Sequence, residues 1–149
     1  MYNQNIRFGS PYSIAIYNFD VNNLKYINDH YGHEYGDKLI INAAKSVSAI
    51  CGKNVYGYRM GGDEFLATAF NISNEEAEII LIKWQSALAE INAASKDVFV
   101  FISCGMVYGS GNYDYDKLYE EADKLMYAEK QLLKSQGTSS FIIPPKEND

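Results

Sequence analysis

The stretch YRMGGDEFLA, from Tyr58 to Ala67, decides how this chain folds. A short strand leads into two glycines, and an apolar strand follows the glycines at once, which predicts a tight turn between two antiparallel strands. Asp63 and Glu64 stand directly after the glycines, and Arg59 stands before them. The stretch therefore predicts a β-hairpin that carries two carboxylates at its turn.

Length and composition limit the class of protein that contains this hairpin. The chain has 149 residues, of which 47% are hydrophobic and 21% charged, so we expect a single domain over residues 1–149. No apolar run is long enough to cross a membrane. The net charge of −6 argues against a nucleic-acid partner and against direct membrane contact. Cys51 and Cys104 match no metal spacing and favour a cytoplasmic domain with reduced thiols.

Before the hairpin, the pattern predicts one strand and two helices. The segment YSIAIYNFD (Tyr12–Asp20) is apolar on both faces, which is typical of a buried central strand. A short helix from about Asn22 and a Gly-bounded loop should follow. Helical spacing of apolar residues then predicts a second helix, and Gly52 is a plausible stop. Those apolar residues are Leu39, Ile40, Ala43, Ala44, Val47 and Ile50.

After the hairpin, two long helices alternate with two predicted strands. Ser73 and Glu76 form a capping box for an amphipathic helix. The segment VFVFISCGMVYG should be one buried strand, a last helix should follow, and SSFII should be a short final strand. The polar tail PPKEND covers residues 144–149. The order β-α-α-β-β-α-β-α-β predicts an α+β fold, with helices flanking a mixed, largely antiparallel sheet.

Three acids should meet at one edge of this sheet. Asp20 ends the first strand and Asp63 begins the strand after the turn, so neighbouring strands would bring them together with Glu64. Two like charges ~4 Å apart repel by ~4 kcal/mol near a protein surface. Oxygen ligands of this kind suit a hard cation such as Mg²⁺. Alternatively, Asp63 and Glu64 are solvated turn acids and Arg59 is an incidental neighbour.

The segment after Asp20 has the features of a phosphate site. Lys25 can reach a phosphate as a point charge. The backbone amides of Asn22, Asn23 and Leu24 lie at a predicted helix start, where free N–H groups and the helix dipole favour an anion. Lys25 can equally be a surface lysine.

Two further side chains suit a guanine base. Asp37 can accept hydrogen bonds from N1–H and the exocyclic amine, and the Asn28 amide can both donate and accept. Each residue also has an ordinary structural interpretation. Asn28 can be a helix C-cap, Asp37 the N-cap of the next helix, and His33 a loop histidine bonded to the backbone.

Taken together, these segments resemble one family. RMGGDEF contains the GGDEF signature, and FDVNNLKYINDHYGHEYGDKL resembles the family's D-x-D/N-x-F/L-K-x-x-N-D-x-x-G-H-x-x-G-D-x-x-L stretch. EADKLMYAEK resembles its D-x-x-L/M-Y-x-A-K helix. The matches run in the family's order from about Tyr12 to Ile143. The chain therefore resembles the diguanylate cyclases, which condense two GTP into cyclic di-GMP and two pyrophosphates on a fold similar to the adenylyl cyclase core and the polymerase palm.

The resemblance assigns a role to each candidate residue. It implies that Asp20, Asp63 and the Val21 carbonyl ligate Mg²⁺ or Mn²⁺, that Asp63 is the base for the ribose 3′-hydroxyl, and that Glu64 is a nearby catalytic acid. It further implies that Asn28 and Asp37 contact guanine. The phosphates would be held by Lys25, Lys130 and the amides of Asn23 and Leu24. Because each domain holds one GTP, catalysis needs a second GGDEF domain face to face.

The sequence departs from the family pattern in four places. The opening D-x-L-T-G-L-x-N-R is absent before Tyr12, so we expect a piece of a longer signalling protein, which can be membrane-anchored elsewhere. Asn22 replaces a frequent acid, and Lys134 stands where an arginine is usual. The R-x-x-D motif for product inhibition is GKNV (Gly52–Val55). An active cyclase, an inactive GTP-binding regulatory module and a protein-interaction domain are therefore all open at this point.

Overall fold

The computed structural model describes residues 12–145. Ten elements follow one another in that range: β1 (Ser13–Val21), α1 (Leu24–Tyr31), α2 (His33–Ser48), β2 (Val55–Gly61), β3 (Glu64–Phe70), α3 (Asn74–Ala94), β4 (Val98–Phe99), β5 (Ile102–Ser110), α4 (Tyr115–Ser135) and β6 (Phe141–Ile142). The opening segment before Tyr12 and the last four residues of the polar tail lie outside the described residues.

Four strands form the main sheet, in the order β2-β3-β1-β5. All of their pairings are antiparallel, and β4 and β6 form a separate antiparallel pair. The predicted α+β fold is confirmed, and among residues 12–145 the sheets contain no parallel pairing. The strand predicted as central is central, because β1 lies between β3 and β5 and all nine of its residues are buried. Its apolar residues on both faces reflect helices on both sides of the sheet.

The alternating side chains of β1 face two separate layers. Tyr17 and Phe19 belong to the larger core, which is built with residues of α2 and α3 such as Leu39 and Trp84. Ile14 and Ile16 belong to the smaller core under α4, with the following partners on other elements: Leu66, Val107 and Ala122. The period of two along the strand therefore sorts its side chains between the two faces of the sheet. The C-terminal end of β1, which carries Asp20, lies at the candidate site.

Two details of the predicted element order are wrong. The Gly-bounded loop does not exist, because α1 ends at Tyr31 and α2 begins at His33, with Gly32 alone (φ +93) breaking the helix. The strand predicted over VFVFISCGMVYG is two strands. The amide of Asn92 bonds both backbone groups of Val100, N–H and C=O, at 2.9 Å. Val100 therefore leaves the ladder, and the chain passes from the small sheet to the main one.

Other predicted details are confirmed. The hairpin lies where the glycines predict it, and Ser73 and Glu76 form both bonds of the capping box at the start of α3. Among residues 12–145, no helix is long and apolar enough to cross a membrane.

Candidate metal and phosphate site

The three acids meet where β1 and β3 end side by side. Asp20 lies opposite Glu64 in the antiparallel register, and Asp63 occupies the turn just before β3. One carboxylate oxygen from each of the three lies within 4.8 Å of the others. Asp20 is 2% exposed, and the two hairpin acids are half-buried. The predicted acid cluster is therefore present, and it is not a set of freely solvated turn acids.

Burial makes the charge on Asp20 costly. Desolvation is the largest cause that raises the pKa of Asp20, to about 6, and the charge of Asp63 adds to it. Lys130 opposes the rise, because its Nζ lies 3.1 Å from Asp20 Oδ2. That contact is an ion pair without hydrogen-bond geometry, so Oδ2 is a buried oxygen with no hydrogen-bond partner among the described residues. An oxygen in this state is suited to receive a cation.

Lys130 reaches the cluster from α4, on a distant part of the chain. Its desolvation works to lower its pKa, but the pairing with Asp20 and the nearby charges of Asp63 and Glu64 leave that pKa raised. The ammonium group therefore stays charged beside the acids. The structure brings this residue to the site that the resemblance implied for it.

The hairpin turn is held in place on both sides of Asp63. Gly61 (φ +129) and Gly62 (φ +54) adopt conformations that are favourable only for glycine. Arg59 donates two hydrogen bonds to Gly62 O, and the Val21 amide donates to Asp63 O at 2.8 Å. Arg59 is therefore not an incidental neighbour of the turn. Nothing in the local sequence pattern distinguishes it from a surface arginine.

The loop between β1 and α1 leads directly into the start of α1. Asn23 adopts a left-handed conformation (φ +68) as the N-cap of α1, and its side-chain amide donates to Ser140 O at 3.0 Å. The first N–H groups of a helix have no intrahelical acceptor, so those of Asn23 and Leu24 suit an anion. The Asn22 amide does not belong to this set, because it donates to Phe101 O at 2.9 Å.

Asn22 is instead part of the support behind the acids. It is 6% exposed, and its Oδ1 accepts a hydrogen bond from Ser103 at 3.0 Å. A neutral amide at this position avoids placing a further buried carboxylate next to Asp20. The departure from the family pattern therefore has a structural consequence: a side chain that is frequently acidic is here bonded into the sheet.

Two clefts open on either side of Lys130. One, of about 410 Å³, contains Lys25 and extends from Val21 to Asp63. Lys25 itself is exposed and pairs with Asp29 at 2.8 Å, so it lies at the rim without a contact to the acid cluster. The other cleft, of about 340 Å³, is lined by the following residues: Asn22, Asn23, Lys130, Lys134, Gly137, Thr138 and Ser139. Lys134, which stands where the family usually has an arginine, therefore lines this cleft, and the loop at residues 137–139 was not predicted as part of the site.

The two guanine candidates lie where α1 packs on α2. The Asn28 side chain rests against Gly36, where any Cβ would overlap the amide oxygen, and that oxygen is buried with no hydrogen-bond partner among the described residues. Asp37 is the next residue and is exposed within α2. Asn28 lies inside α1 and Asp37 inside α2, so neither caps its helix through its side chain. Of the two candidates, Asp37 has an exposed side chain, whereas the Asn28 amide oxygen is buried against Gly36.

The segment GKNV forms a tight turn. Gly52 and Val55 exchange two backbone hydrogen bonds, at 3.0 and 3.2 Å, and Asn54 (φ +67) completes the turn. No side chain at Gly52 or Val55 can contact a charged ligand. A compact structural turn therefore stands where the resemblance places the family's product-binding motif.

The arrangement defines a class of protein. An antiparallel sheet, with clustered acids at a hairpin turn next to a helix start and a lysine, is suited to bind a divalent cation together with phosphates. The cluster fits such a cation, because it offers oxygen ligands only and includes one buried oxygen, Asp20 Oδ2, that has an ion pair with Lys130 but no hydrogen bond from residues 12–145.

Comparisons with known proteins place the chain within this class. The family model "Diguanylate cyclase, GGDEF domain" matches residues 3–136. Diguanylate cyclase DosC of Escherichia coli (strain K12) is 30% identical over 128 residues, which cover 84% of this chain and 27% of that protein. Signaling protein YkoW of Bacillus subtilis (strain 168) is 33% identical over 141 residues, which cover 91% of this chain and 18% of that protein.

Solved structures agree with the fold. One solved structure shows a microbial GGDEF domain in a novel interaction mode with bis-(3,5)-cyclic di-GMP. It matches with a TM-score of 0.65 and 31% identity, over 81% of this chain and 72% of that one. The GGDEF domain of DgcB from Caulobacter crescentus, in complex with c-di-GMP, has a TM-score of 0.71 and 18% identity over 93% of this chain and 81% of that one, which shows the fold alone.

The chain belongs to the diguanylate cyclase GGDEF-domain family. It spans only about a quarter of the length of DosC and less of YkoW.

Proposed function

We propose that this domain is a diguanylate cyclase, which condenses two GTP into cyclic di-GMP and two pyrophosphates. The observation that carries the proposal is the meeting of Asp20, Asp63 and Glu64 within 4.8 Å, beside Lys130 and the start of α1. The intact signature and the family membership support the same conclusion.

Each part of the site has a task in this reaction. Asp20, Asp63 and the Val21 carbonyl would hold Mg²⁺ or Mn²⁺. When bound, the cation offsets phosphate charge and polarises the α-phosphate. Asp63 takes the proton of the attacking 3′-hydroxyl, with Glu64 as the second acid at the turn. Lys130 exchanges its ion pair with Asp20 for contacts with phosphate oxygens.

The remaining residues bind and orient the nucleotide. The amides of Asn23 and Leu24 face the phosphates, and Lys25 at the rim can leave Asp29 for a phosphate, because an exposed ion pair is worth ~0–1 kcal/mol. Asn28 and Asp37 hydrogen-bond the guanine edge. Since one site holds one GTP, two domains must face each other, and we propose that a second copy of this domain supplies the other half.

The test is product formation by the purified domain. Wild type at high protein concentration, incubated with GTP and Mg²⁺, should yield cyclic di-GMP detectable by mass spectrometry. Asp63→Asn should lose at least the ~10²-fold attributed to a general base, while Asp97→Asn, a surface acid paired with Lys38, should retain turnover. GTP binding without any product would instead support a regulatory module. An Asp63→Asn variant with near-wild-type turnover would contradict the assignment of the site.

A further inference from the structure

The side chain of Arg59 spans the hairpin turn and binds its second glycine. Its Nε and Nη2 donate to the same carbonyl oxygen, that of Gly62, at 3.2 and 2.6 Å. The residue is exposed, so burial does not force this conformation. The specific two-pronged contact is what holds the side chain there.

The bonded carbonyl belongs to the peptide group that enters Asp63. Because a peptide group is planar, fixing Gly62 O also fixes the direction of the Asp63 N–H and the position of its Cα. On the other side, Asp63 O accepts from the Val21 amide at 2.8 Å. The main chain of Asp63 is therefore held before and after its Cα, once by Arg59 and once by β1.

This turn needs such a restraint. It contains two consecutive glycines with positive φ, and the register of the hairpin shifts between Arg59 and Gly61. Glycine has the largest conformational freedom of any residue. Moreover, the carboxylates of Asp20 and Glu64 lie close to that of Asp63 and repel it. A loosely held turn would relax by moving Asp63 away from the other two acids.

We propose that Arg59 is a positioning residue, which holds the Asp63 carboxylate where a divalent cation can bind it together with Asp20. Arg59 would act through the Gly62 carbonyl and not by direct contact with the cation. An arginine suits the task because its planar fork can place two donors on one oxygen, whereas a lysine offers a single point charge. The inference concerns cation binding at the acid cluster. It rests on the proposed function only for the reaction that the bound cation would serve.

The experiment measures binding of Mn²⁺ alone by electron paramagnetic resonance. Wild type, Arg59→Ala and Arg59→Lys are compared with Lys53→Ala, which removes an exposed cation near the start of the same hairpin. Lys53 makes no ion pair or side-chain hydrogen bond among residues 12–145. We expect Arg59→Ala to weaken Mn²⁺ binding about 5- to 10-fold, the scale of one ordinary protein hydrogen bond. Arg59→Lys should fall in between, and Lys53→Ala should match wild type.

A second readout separates positioning from simple stabilisation of the fold. The Mg²⁺ concentration that gives half-maximal cyclic di-GMP formation should rise by the same factor in Arg59→Ala, and saturating Mg²⁺ should restore most of the turnover. If Arg59→Ala does not fold by circular dichroism, Arg59→Lys carries the test. A lower melting temperature with unchanged Mn²⁺ affinity would overturn the inference, as would a wild type that binds no Mn²⁺. Altered Mn²⁺ affinity in a domain that makes no cyclic di-GMP would sustain the inference while contradicting the proposed cyclase.

Discussion

Replacing Asp20 by asparagine should make the metal-free protein more stable. The Asp20 carboxylate is 2% exposed, and it faces two other acids within 4.8 Å. Its ion pair with Lys130 at 3.1 Å offsets this unfavourable setting only in part, because the pKa remains raised, to about 6. An uncharged side chain of the same shape removes the desolvation cost and the repulsion together.

The size of the effect follows from the pKa. A rise from the ordinary value of 3.8 to about 6 means that the folded protein disfavours the charged form by ~3 kcal/mol at most, since each pKa unit is worth ~1.4 kcal/mol. The opposing contribution of Lys130 is already contained in that pKa. Because the asparagine amide is itself a buried polar group, we expect a gain of ~1–3 kcal/mol at pH 7. In a domain of this size that raises the melting temperature by ~2–12 °C.

The pH dependence has a definite sign. A carboxyl group whose pKa is raised by folding costs stability when it is ionised in the folded state. The cost is absent below the unfolded pKa near 3.8 and complete above about 6. Asp20 should therefore lower wild-type stability progressively as the pH rises from about 4 to about 6. That component of the pH profile should disappear in Asp20→Asn.

Thermal unfolding of metal-free protein at several pH values measures both effects. Asp97→Asn removes a negative charge from an exposed ion pair elsewhere and serves as the control for net charge. Added Mg²⁺ should stabilise wild type by mass action and leave Asp20→Asn nearly unchanged, although the variant starts from a higher melting temperature. An Asp20→Asn variant that is less stable than wild type at pH 7, or that keeps the wild-type pH profile between 4 and 6, would refute the reasoning.

Three further predictions concern the base, the product and the fold. Wild type should bind GTP ~5- to 150-fold more tightly than ATP, because adenine would leave a polar group unpaired at a cost of ~1–3 kcal/mol. Asp37→Ala should reduce this ratio of affinities. Equal affinities of wild type for GTP and ATP by calorimetry would rule out the role of Asp37. Cyclic di-GMP should bind weakly at the Gly52–Val55 turn; sub-micromolar binding that persists in Asp63→Asn would show otherwise. Gly105→Ala should lower the free energy of unfolding by more than ~3 kcal/mol, measured by denaturant unfolding. The reason is that the added Cβ would overlap the α4 backbone at Ala122 and Met126. Near-wild-type stability would contradict this prediction and mean that α4 can move.

Much of this protein can be predicted from local sequence patterns, because the interactions concerned lie close together along the chain. The glycines between two apolar strands predict the hairpin, and Ser73 and Glu76 predict the start of α3. The motif order predicts the family, which is confirmed, and the run of apolar residues before Asp20 predicts a central strand. The same patterns predict that Asp20, Asp63 and Glu64 meet, since the register of neighbouring strands leaves few alternatives.

Other features depend on contacts between distant segments, which no local pattern reveals. The break between β4 and β5 exists because Asn92, on α3, takes both backbone groups of Val100. The expected loop after α1 is missing because Gly32 alone turns the chain, and Gly36 serves the contact with Asn28 inside the next helix. The sequence could identify these residues as turn formers or polar groups, but not their partners.

The electrostatics of the site likewise come from tertiary structure. The sequence by itself determined the acids, the lysine and the hairpin that carries two of the acids. Only the folded chain decided that Lys130 from α4 would pair with Asp20, that burial would raise the Asp20 pKa, and that Arg59 would hold the carbonyl before Asp63. The physical reason is that burial and ion pairing depend on three-dimensional distance, whereas residue type and spacing are fixed by covalent order.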